Sequence, residues 1–168
     1  MKSHHFNDPV CMPGTSESPG AIYERAQPLA ETPGQIYVER RGIPLDVATA
    51  AGLRFAPNFN GRPAVVAVLK NQLDVVASIH GRYLQTIRGQ NKMLTIGPGD
   101  GLVNVLGGWH TEPLIIVEGL FDALSLAASG WPAIAPIGRN VSWLPEAVRG
   151  RTVWIAFDSC QPAEADFQ

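Results

Sequence analysis

The fold is decided by residues 113–126, Pro-Leu-Ile-Ile-Val-Glu-Gly-Leu-Phe-Asp-Ala-Leu-Ser-Leu. Its apolar run, 114–117, is continuous, as a strand buried on both faces requires, and such strands are typical of parallel sheets. Glu118-Gly119 follow the run, and residues 120–129 then form a helical stretch that ends at Gly130. We therefore expect a buried strand, a turn and a helix, which together begin an α/β unit.

The rest of the second half continues this order. A second strand is predicted over residues 133–137, a helix over 142–148 and a third strand over 152–157. The order strand-helix-strand-helix-strand predicts an α/β fold built on a parallel sheet.

The first half of the chain has a different pattern. Ser18-Pro19 and Thr32-Pro33 each place a capping hydroxyl before a proline that suits the first helical position, so each pair predicts a helix start. After residue 60, the β-rich runs 64–69 and 73–79 predict an antiparallel hairpin.

The chain is expected to divide into four segments. Further extended pieces are predicted at 82–86 and 102–106. The predicted segments are a disordered leader (1–17), a helical segment (18–60), a basic β-rich subdomain (61–110) and an α/β subdomain that is incomplete at its carboxyl end (111–168).

The composition indicates a globular, cytoplasmic protein. The 168 residues are 45% hydrophobic, enough to bury a sizeable core. No apolar run approaches the roughly 20 residues that span a bilayer, and the first residues lack the order of a secretory signal, so we predict no membrane contact. The formal net charge is -2, yet the segment from Arg62 to Lys92 has five basic residues and one acidic residue. That segment is suited to binding phosphates.

Two carboxylates follow strands of the predicted sheet. Glu118 ends the first strand and Asp158 ends the third. Functional groups gather beyond the carboxyl ends of parallel strands, and Mg²⁺ is often held there by one or two carboxylates together with substrate phosphates. Gly119 would let the backbone turn sharply and a phosphate approach closely. The alternative is that both acids cap helices or are simply solvated, and placement alone leaves this open.

The sequence resembles the Toprim domain of DnaG-like primases of the phage and plasmid type. Residues 113–126 resemble the first Toprim motif, 133–138 the second strand with its glycine, and 153–158 the strand that ends in a metal-binding aspartate. Residues 36–43 and 53–57 are similar to the region that precedes Toprim in such primases. The resemblance implies a Toprim-like parallel sheet, Rossmann-like and truncated, preceded by short helices and an antiparallel β-hairpin subdomain.

The resemblance also implies a function in DNA replication. In that family the matching glutamate is a general acid or base and the aspartates hold the metal, so Glu118 and Asp158 would be the catalytic residues and the ligands of Mg²⁺ or Mn²⁺. The reaction would be synthesis of RNA primers from nucleoside triphosphates on single-stranded DNA. The implied nucleotide and nucleic-acid contacts are Arg82, Arg88, Lys92, Gly119 and Arg139.

The chain departs from the family pattern at its end. A complete motif would read Asp-x-Asp, whereas this chain has Asp158-Ser159-Cys160, and a thiol is a poor ligand for Mg²⁺. Only ten residues follow Asp158, too few for the helix and strand that complete the usual sheet. The missing part could come from a partner, such as a replicative helicase or a separate carboxyl-terminal portion. A degenerate, non-catalytic module that binds nucleic acid or a replication partner is the alternative function, and a nuclease is a third.

Overall fold

The computed structural model describes residues 17–137 and 141–157, which form two β-sheets with five α-helices packed around them. The predicted leader lies outside these residues, apart from Glu17. None of the helices in this part of the chain is long and apolar enough to cross a membrane.

Three short helices open the fold where the capping signals predict them. They are α1 (Pro19–Arg25), α2 (Pro33–Arg40) and α3 (Leu45–Ala50). The Ala21 amide donates to Ser18 Oγ at 3.2 Å, and the Gly34 amide donates to Thr32 Oγ1 at 3.2 Å. Each hydroxyl thus satisfies an amide that has no partner within its helix, which confirms both predicted starts.

The first sheet is antiparallel and has five strands in sequential order. Its strands are β1 (Gln27–Pro28), β2 (Arg54–Phe59), β3 (Arg62–Lys70), β4 (Val76–Tyr83) and β5 (Met93–Ile96). The β3–β4 pair confirms the predicted hairpin. Because Asn71 Oδ1 accepts from the amides of Leu73 and Val75, a turn occupies residues 71–75 and β4 begins three residues later than predicted.

Two expectations for this sheet were wrong. Strand β2 lies in the segment expected to be helical, where Pro57 and Asn58 weaken the strand pattern; a register shift between Ala56 and Phe59 accommodates them. The extended piece predicted at 82–86 ends at Tyr83, and the chain then enters a loop that lasts to residue 92. The boundaries of the four predicted segments remain a prediction.

The second sheet has the predicted parallel core. The second half of the chain forms β6 (Val103–Asn104), a 3-10 turn (Gly108–His110), β7 (Leu114–Val117), α4 (Leu120–Ala128), β8 (Ile134–Ala135), α5 (Leu144–Ala147) and β9 (Val153–Ala156). The strand order is β6-β8-β7-β9, with β7 parallel to both β8 and β9 and with β6 antiparallel to β8. All four residues of β7 are buried, as the continuous apolar run requires.

One hydrophobic core joins the two sheets. Lys70 and Leu102 exchange two backbone hydrogen bonds of 2.9 and 3.0 Å, which fix the end of β3 beside the segment that leads into β6. The core includes residues of the first sheet and of α2, together with β7 and α4: Val38, Phe55, Val65, Ala67, Val117, Leu120 and Leu124. The carboxyl end of β7 is therefore held next to α2 and to the face of the first sheet that α2 covers.

Strand β9 forms an edge of the second sheet and is largely exposed. Trp154 and Ile155 keep 52% and 67% of their surface, Phe157 keeps 51%, and Trp131, whose ring centroid lies 6.1 Å from that of Trp154, keeps 50%. A parallel strand of this composition is ordinarily covered on both faces. We name these four residues the β9 edge patch.

Candidate nucleic-acid interface and carboxylate site

The turn from β7 into α4 presents Glu118 to solvent. Glu118 follows the last residue of β7, is exposed, and has no hydrogen bond or ion pair with the residues that the structure describes. The residue at the N-cap of α4 is Gly119, and no side chain caps this helix. Glu118 is therefore not a helix cap, and its carboxylate is available to a ligand from solvent.

The missing side chain of Gly119 leaves room for a neighbouring carboxylate, and its backbone needs no special freedom. Its φ of -121° is extended, a conformation that any residue adopts, so the expectation that a glycine permits the sharp turn is wrong. A Cβ placed on Gly119 would lie only 2.6 Å from Asp122 Oδ2. The Asp122 carboxylate thus lies over Gly119 in the first turn of α4, where the helix dipole favours a negative charge. Two carboxylates, Glu118 and Asp122, flank this strand end.

A cluster of two arginines and two aromatic rings lies beside this turn. Tyr37 and Phe121 pack edge to face with ring centroids 5.8 Å apart, and the Arg41 guanidinium carbon lies 4.4 Å from the Phe121 centroid. Arg82 Nε donates to Tyr37 Oη at 3.3 Å, and Arg41 Nη1 approaches the same oxygen at 3.5 Å. We name Tyr37, Arg41, Arg82 and Phe121 the arginine–aromatic cluster. Through Tyr37, the cluster links Arg82, a predicted nucleic-acid contact, to α4, the helix whose N-cap follows Glu118.

The arginines of this surface form no ion pairs among the described residues. Within the described ranges, no carboxylate oxygen lies within 4 Å of a guanidinium nitrogen of Arg40, Arg41 or Arg82. The three arginines come from the end of α2 and from β4, so their charges add on one side of the molecule. Such a surface favours an anionic ligand.

Arg88 and Lys92 lie on the loop that follows β4. Arg62 holds this loop closed, because its guanidinium donates to the carbonyls of Gln85 at 2.6 Å and Asn91 at 3.0 Å while it stacks 3.9 Å from the Tyr83 centroid. Arg88 and Lys92 are exposed. No hydrogen bond, ion pair or ring contact in the described part of the chain joins either of them to the arginine–aromatic cluster.

Two predicted site residues, Arg139 and Asp158, lie outside the described residues. Among those that are described, no group of three or more His, Cys, Asp or Glu side chains forms a metal site. Glu118 is still a chemically suitable ligand, since hard divalent cations take carboxylate oxygens and its own are not engaged.

At the opposite end of β7, the carboxylate of Glu112 has a structural role. The Thr152 amide donates to Glu112 Oε1 at 2.9 Å, and this bond is the main cause that lowers the pKa of Glu112; the Thr152 hydroxyl and Arg151 act in the same direction. A lowered pKa means that the ionised form stabilises the fold, and this contribution is lost as the pH falls through that pKa. Glu112 therefore helps to pair β9 with β7 and takes no part in the carboxylate site.

Sequence reasoning did not identify the whole cluster. Tyr37 and Arg41 are four residues apart on α2, a spacing that indicates a shared helix face. Nothing in the sequence pairs that face with Phe121, because this contact depends on how α2 and α4 pack over the common core.

Solved primase structures share this fold. The chain matches the zinc-binding and RNA polymerase domains of the Aquifex aeolicus primase with a TM-score of 0.60 and 22% identity, over 82% of this chain and 46% of that one. It matches a DnaG primase catalytic domain bound to single-stranded DNA with a TM-score of 0.61 and 20% identity, over 83% and 58%. A DNA primase domain from Pseudomonas aeruginosa matches at 0.58 and 19%, over 82% and 59%. The predicted likeness to DnaG-like primases is confirmed for the fold, and the chain spans about half the length of these structures.

Sequence comparison identifies a family for the first part of the chain. Residues 14–105 match the model of DUF7146, which is described as a domain of unknown function. No curated protein matches the chain.

Proposed function

We propose that this chain, which belongs to the DUF7146 family and has the fold of a primase catalytic domain, binds single-stranded nucleic acid and performs metal-dependent nucleotidyl transfer at the end of β7. The reaction would be RNA primer synthesis on single-stranded DNA during replication. We further propose a cytoplasmic location.

The observation that carries this proposal is the series of contacts that links Arg82, through Tyr37, to the helix of the carboxylate site. Arg82 reaches Tyr37, Tyr37 packs on Phe121, and Phe121 is three residues beyond Glu118. A strand whose phosphates lie on Arg40, Arg41 and Arg82 would therefore pass the free carboxylate of Glu118. Arginine suits this task because its planar guanidinium can contact two phosphate oxygens at once.

Each residue has a definite role in the proposed reaction. A 3′-hydroxyl oxygen forms a bond to the α-phosphorus of a nucleoside triphosphate, its proton passes to a general base, and pyrophosphate leaves with the electrons of the broken P–O bond. Glu118 would accept that proton, and Arg82 and Arg41 would hold phosphates beside it. Glu118 and Asp158 would hold Mg²⁺ or Mn²⁺, which when bound neutralises charge on the phosphates. Gly119, Arg88, Lys92 and Arg139 are proposed as further nucleotide or nucleic-acid contacts.

The β9 edge patch supports a polypeptide partner for this site. An apolar edge strand that pairs with no described strand on one side is suited to accept another strand. We propose that the occupant is a segment that continues the parallel sheet, because this chain covers only 58% of a matched DnaG catalytic domain. A carboxyl-terminal portion would supply such a segment, and a replicative helicase would be a further partner.

A non-catalytic role is the second candidate. Cys160 stands where the family pattern has a second metal-binding aspartate. The arginine–aromatic cluster is complete without that residue. In this case the chain would hold a single strand while the chemistry occurs elsewhere, and binding would not require a divalent metal.

Replacing Arg82 tests the nucleic-acid surface. We expect Arg82→Gln to weaken binding of a labelled single-stranded oligonucleotide severalfold and to reduce the slope of log affinity against log salt by about one, since one phosphate contact is lost. Fluorescence anisotropy across a salt series measures both quantities. Arg82→Lys should retain most of the salt dependence because it keeps the charge.

The matched control for this experiment is Arg149→Gln. Arg149 is exposed, pairs with Glu146 on α5, and is not part of the arginine–aromatic cluster. Its replacement should leave affinity and slope unchanged. If Arg82→Gln, folded by circular dichroism, bound the oligonucleotide as tightly as the wild type at every salt concentration, the proposed surface would be wrong. Binding that survives chelation, without any turnover, would select the non-catalytic candidate.

A further inference from the structure

A pocket adjoins the arginine–aromatic cluster on its apolar side. It lies between the outer face of α2 and the chain that leaves β4, and its volume is about 290 Å³. Its lining consists of Pro33, Ile36, Tyr37, Arg40, Leu84 and Gln85. Because small-molecule sites span roughly 300–1,000 Å³, a pocket of this size suits one small group and not a large ligand.

Hydrogen bonds fix the backbone on both sides of the pocket. Thr32 Oγ1 donates to the Leu29 carbonyl at 2.6 Å and fixes the start of α2 at Pro33. On the other wall, the Leu84 amide donates to the Pro63 carbonyl at 3.1 Å, and Arg62 holds the Gln85 carbonyl at 2.6 Å. The pocket is therefore largely formed before any ligand arrives.

The lining combines an apolar floor with a polar and cationic rim. Pro33, Ile36 and Leu84 supply the apolar surface, and Ile36 keeps 53% of its surface exposed although it is a large aliphatic side chain. At the rim, the side chains of Arg40 and Gln85 have no hydrogen-bond or ion-pair partner among the described residues. An occupant with a flat apolar face, polar edges and an attached anion would satisfy all of these groups.

We infer that this pocket takes one base of a single-stranded nucleic acid, with the phosphate of the same nucleotide on Arg40. A nucleobase has an apolar face for Ile36 and Leu84 and hydrogen-bonding edges for Gln85. The unpaired charge of Arg40, Arg41 and Arg82 favours a phosphate-bearing ligand over an apolar peptide. The inference rests on the proposed function, because it names the part of the nucleic acid that binds beside the same arginines.

The test compares two oligonucleotides of equal length, one with bases and one abasic throughout its middle. Base stacking on aromatic side chains has effects of roughly five- to a hundredfold per base. Because the pocket offers one aromatic residue, Tyr37, beside its aliphatic ones, we expect the wild type to bind the base-bearing strand about tenfold more tightly. Ile36→Asn removes the apolar floor without a charge change. It should reduce this preference to near unity and leave the affinity for the abasic strand unchanged.

The matched control is Leu73→Asn, the same kind of change at a side chain that is 80% exposed in the turn between β3 and β4. It should keep the tenfold preference. As a second measurement, a strand with 5-iodouracil should crosslink to the peptide that contains Tyr37 on irradiation, and mass spectrometry would identify that peptide.

The outcomes separate this inference from the proposed function. If the wild type bound both strands equally, or if Ile36→Asn kept the preference, the base pocket would be wrong while nucleic-acid binding by the arginines would stand. Equal binding of the two strands by the wild type would make an apolar side chain of a protein partner the next occupant to test. If neither strand bound, the proposed function would fail and the inference with it.

Discussion

Glu118→Gln should reduce template-directed incorporation of ribonucleotides by at least about a hundredfold, because a general acid or base contributes roughly 10²–10⁴ to the rate and an amide cannot accept the proton. The change keeps the size of the side chain, and Glu118 is exposed without partners in the described residues. The free energy of unfolding should therefore stay within about 0.5 kcal/mol of the wild type. Primer synthesis on a single-stranded template, followed by gel electrophoresis, measures the rate.

Glu146→Gln is the control for this variant. Glu146 is also exposed, but it lies on α5 and pairs with Arg149, away from the end of β7. Its replacement should leave the rate unchanged. Full primer synthesis by Glu118→Gln would show that Glu118 takes no part in the reaction. Cleavage of the template by the wild type, abolished by the same substitution, would indicate a nuclease instead of a primase.

Gly108→Ala should destabilise the fold by about 3 kcal/mol, the upper part of the usual range for overpacking. Gly108 is buried, and an added Cβ would lie 2.6 Å from the backbone N and C of Ala133 and 2.7 Å from its Cα. Backbone atoms cannot rotate away as a side chain can, so the 3-10 turn and the start of β8 would have to separate. For a chain of this size the midpoint of thermal unfolding should fall by roughly 10 °C.

Gly20→Ala is the matched glycine substitution. Gly20 lies in the first turn of α1, and no atom lies within 4 Å of an added Cβ. Because alanine is the better helix former, this variant should be unchanged or slightly more stable. Urea denaturation of both variants measures the difference. Equal stability of the Gly108 variant and the wild type would mean that β8 and the turn are not in close contact.

One strand and two helix starts could be predicted from local sequence signals alone. The buried run at 114–117 predicts a parallel strand, and Ser18 and Thr32 predict two helix starts; the structure confirms all three. Strand β2 was not predicted because Pro57 and Asn58 disfavour a strand. It forms because β3 pairs with it at Arg54, Phe55 and Ala56. Such tertiary pairing overrides local propensity.

In the candidate site, too, some residues could be predicted from the sequence and others could not. Glu118 could be chosen from its place at a strand end, and Arg82 from the basic segment together with the resemblance to primases. The neighbours that connect them, Tyr37, Arg41 and Phe121, are brought together only when α2 and α4 pack on one core. Contacts between distant segments of this kind have no period or spacing that a single sequence can display.

Calorimetric titration of Mn²⁺ into the wild type, Glu118→Gln and Glu146→Gln tests most directly whether the end of β7 is a metal-dependent catalytic site. We predict a binding heat in the wild type and in Glu146→Gln that is lost in Glu118→Gln. The same heat in all three proteins would contradict a site at Glu118. No heat in any of them would contradict the catalytic proposal and leave the chain as a nucleic-acid-binding module.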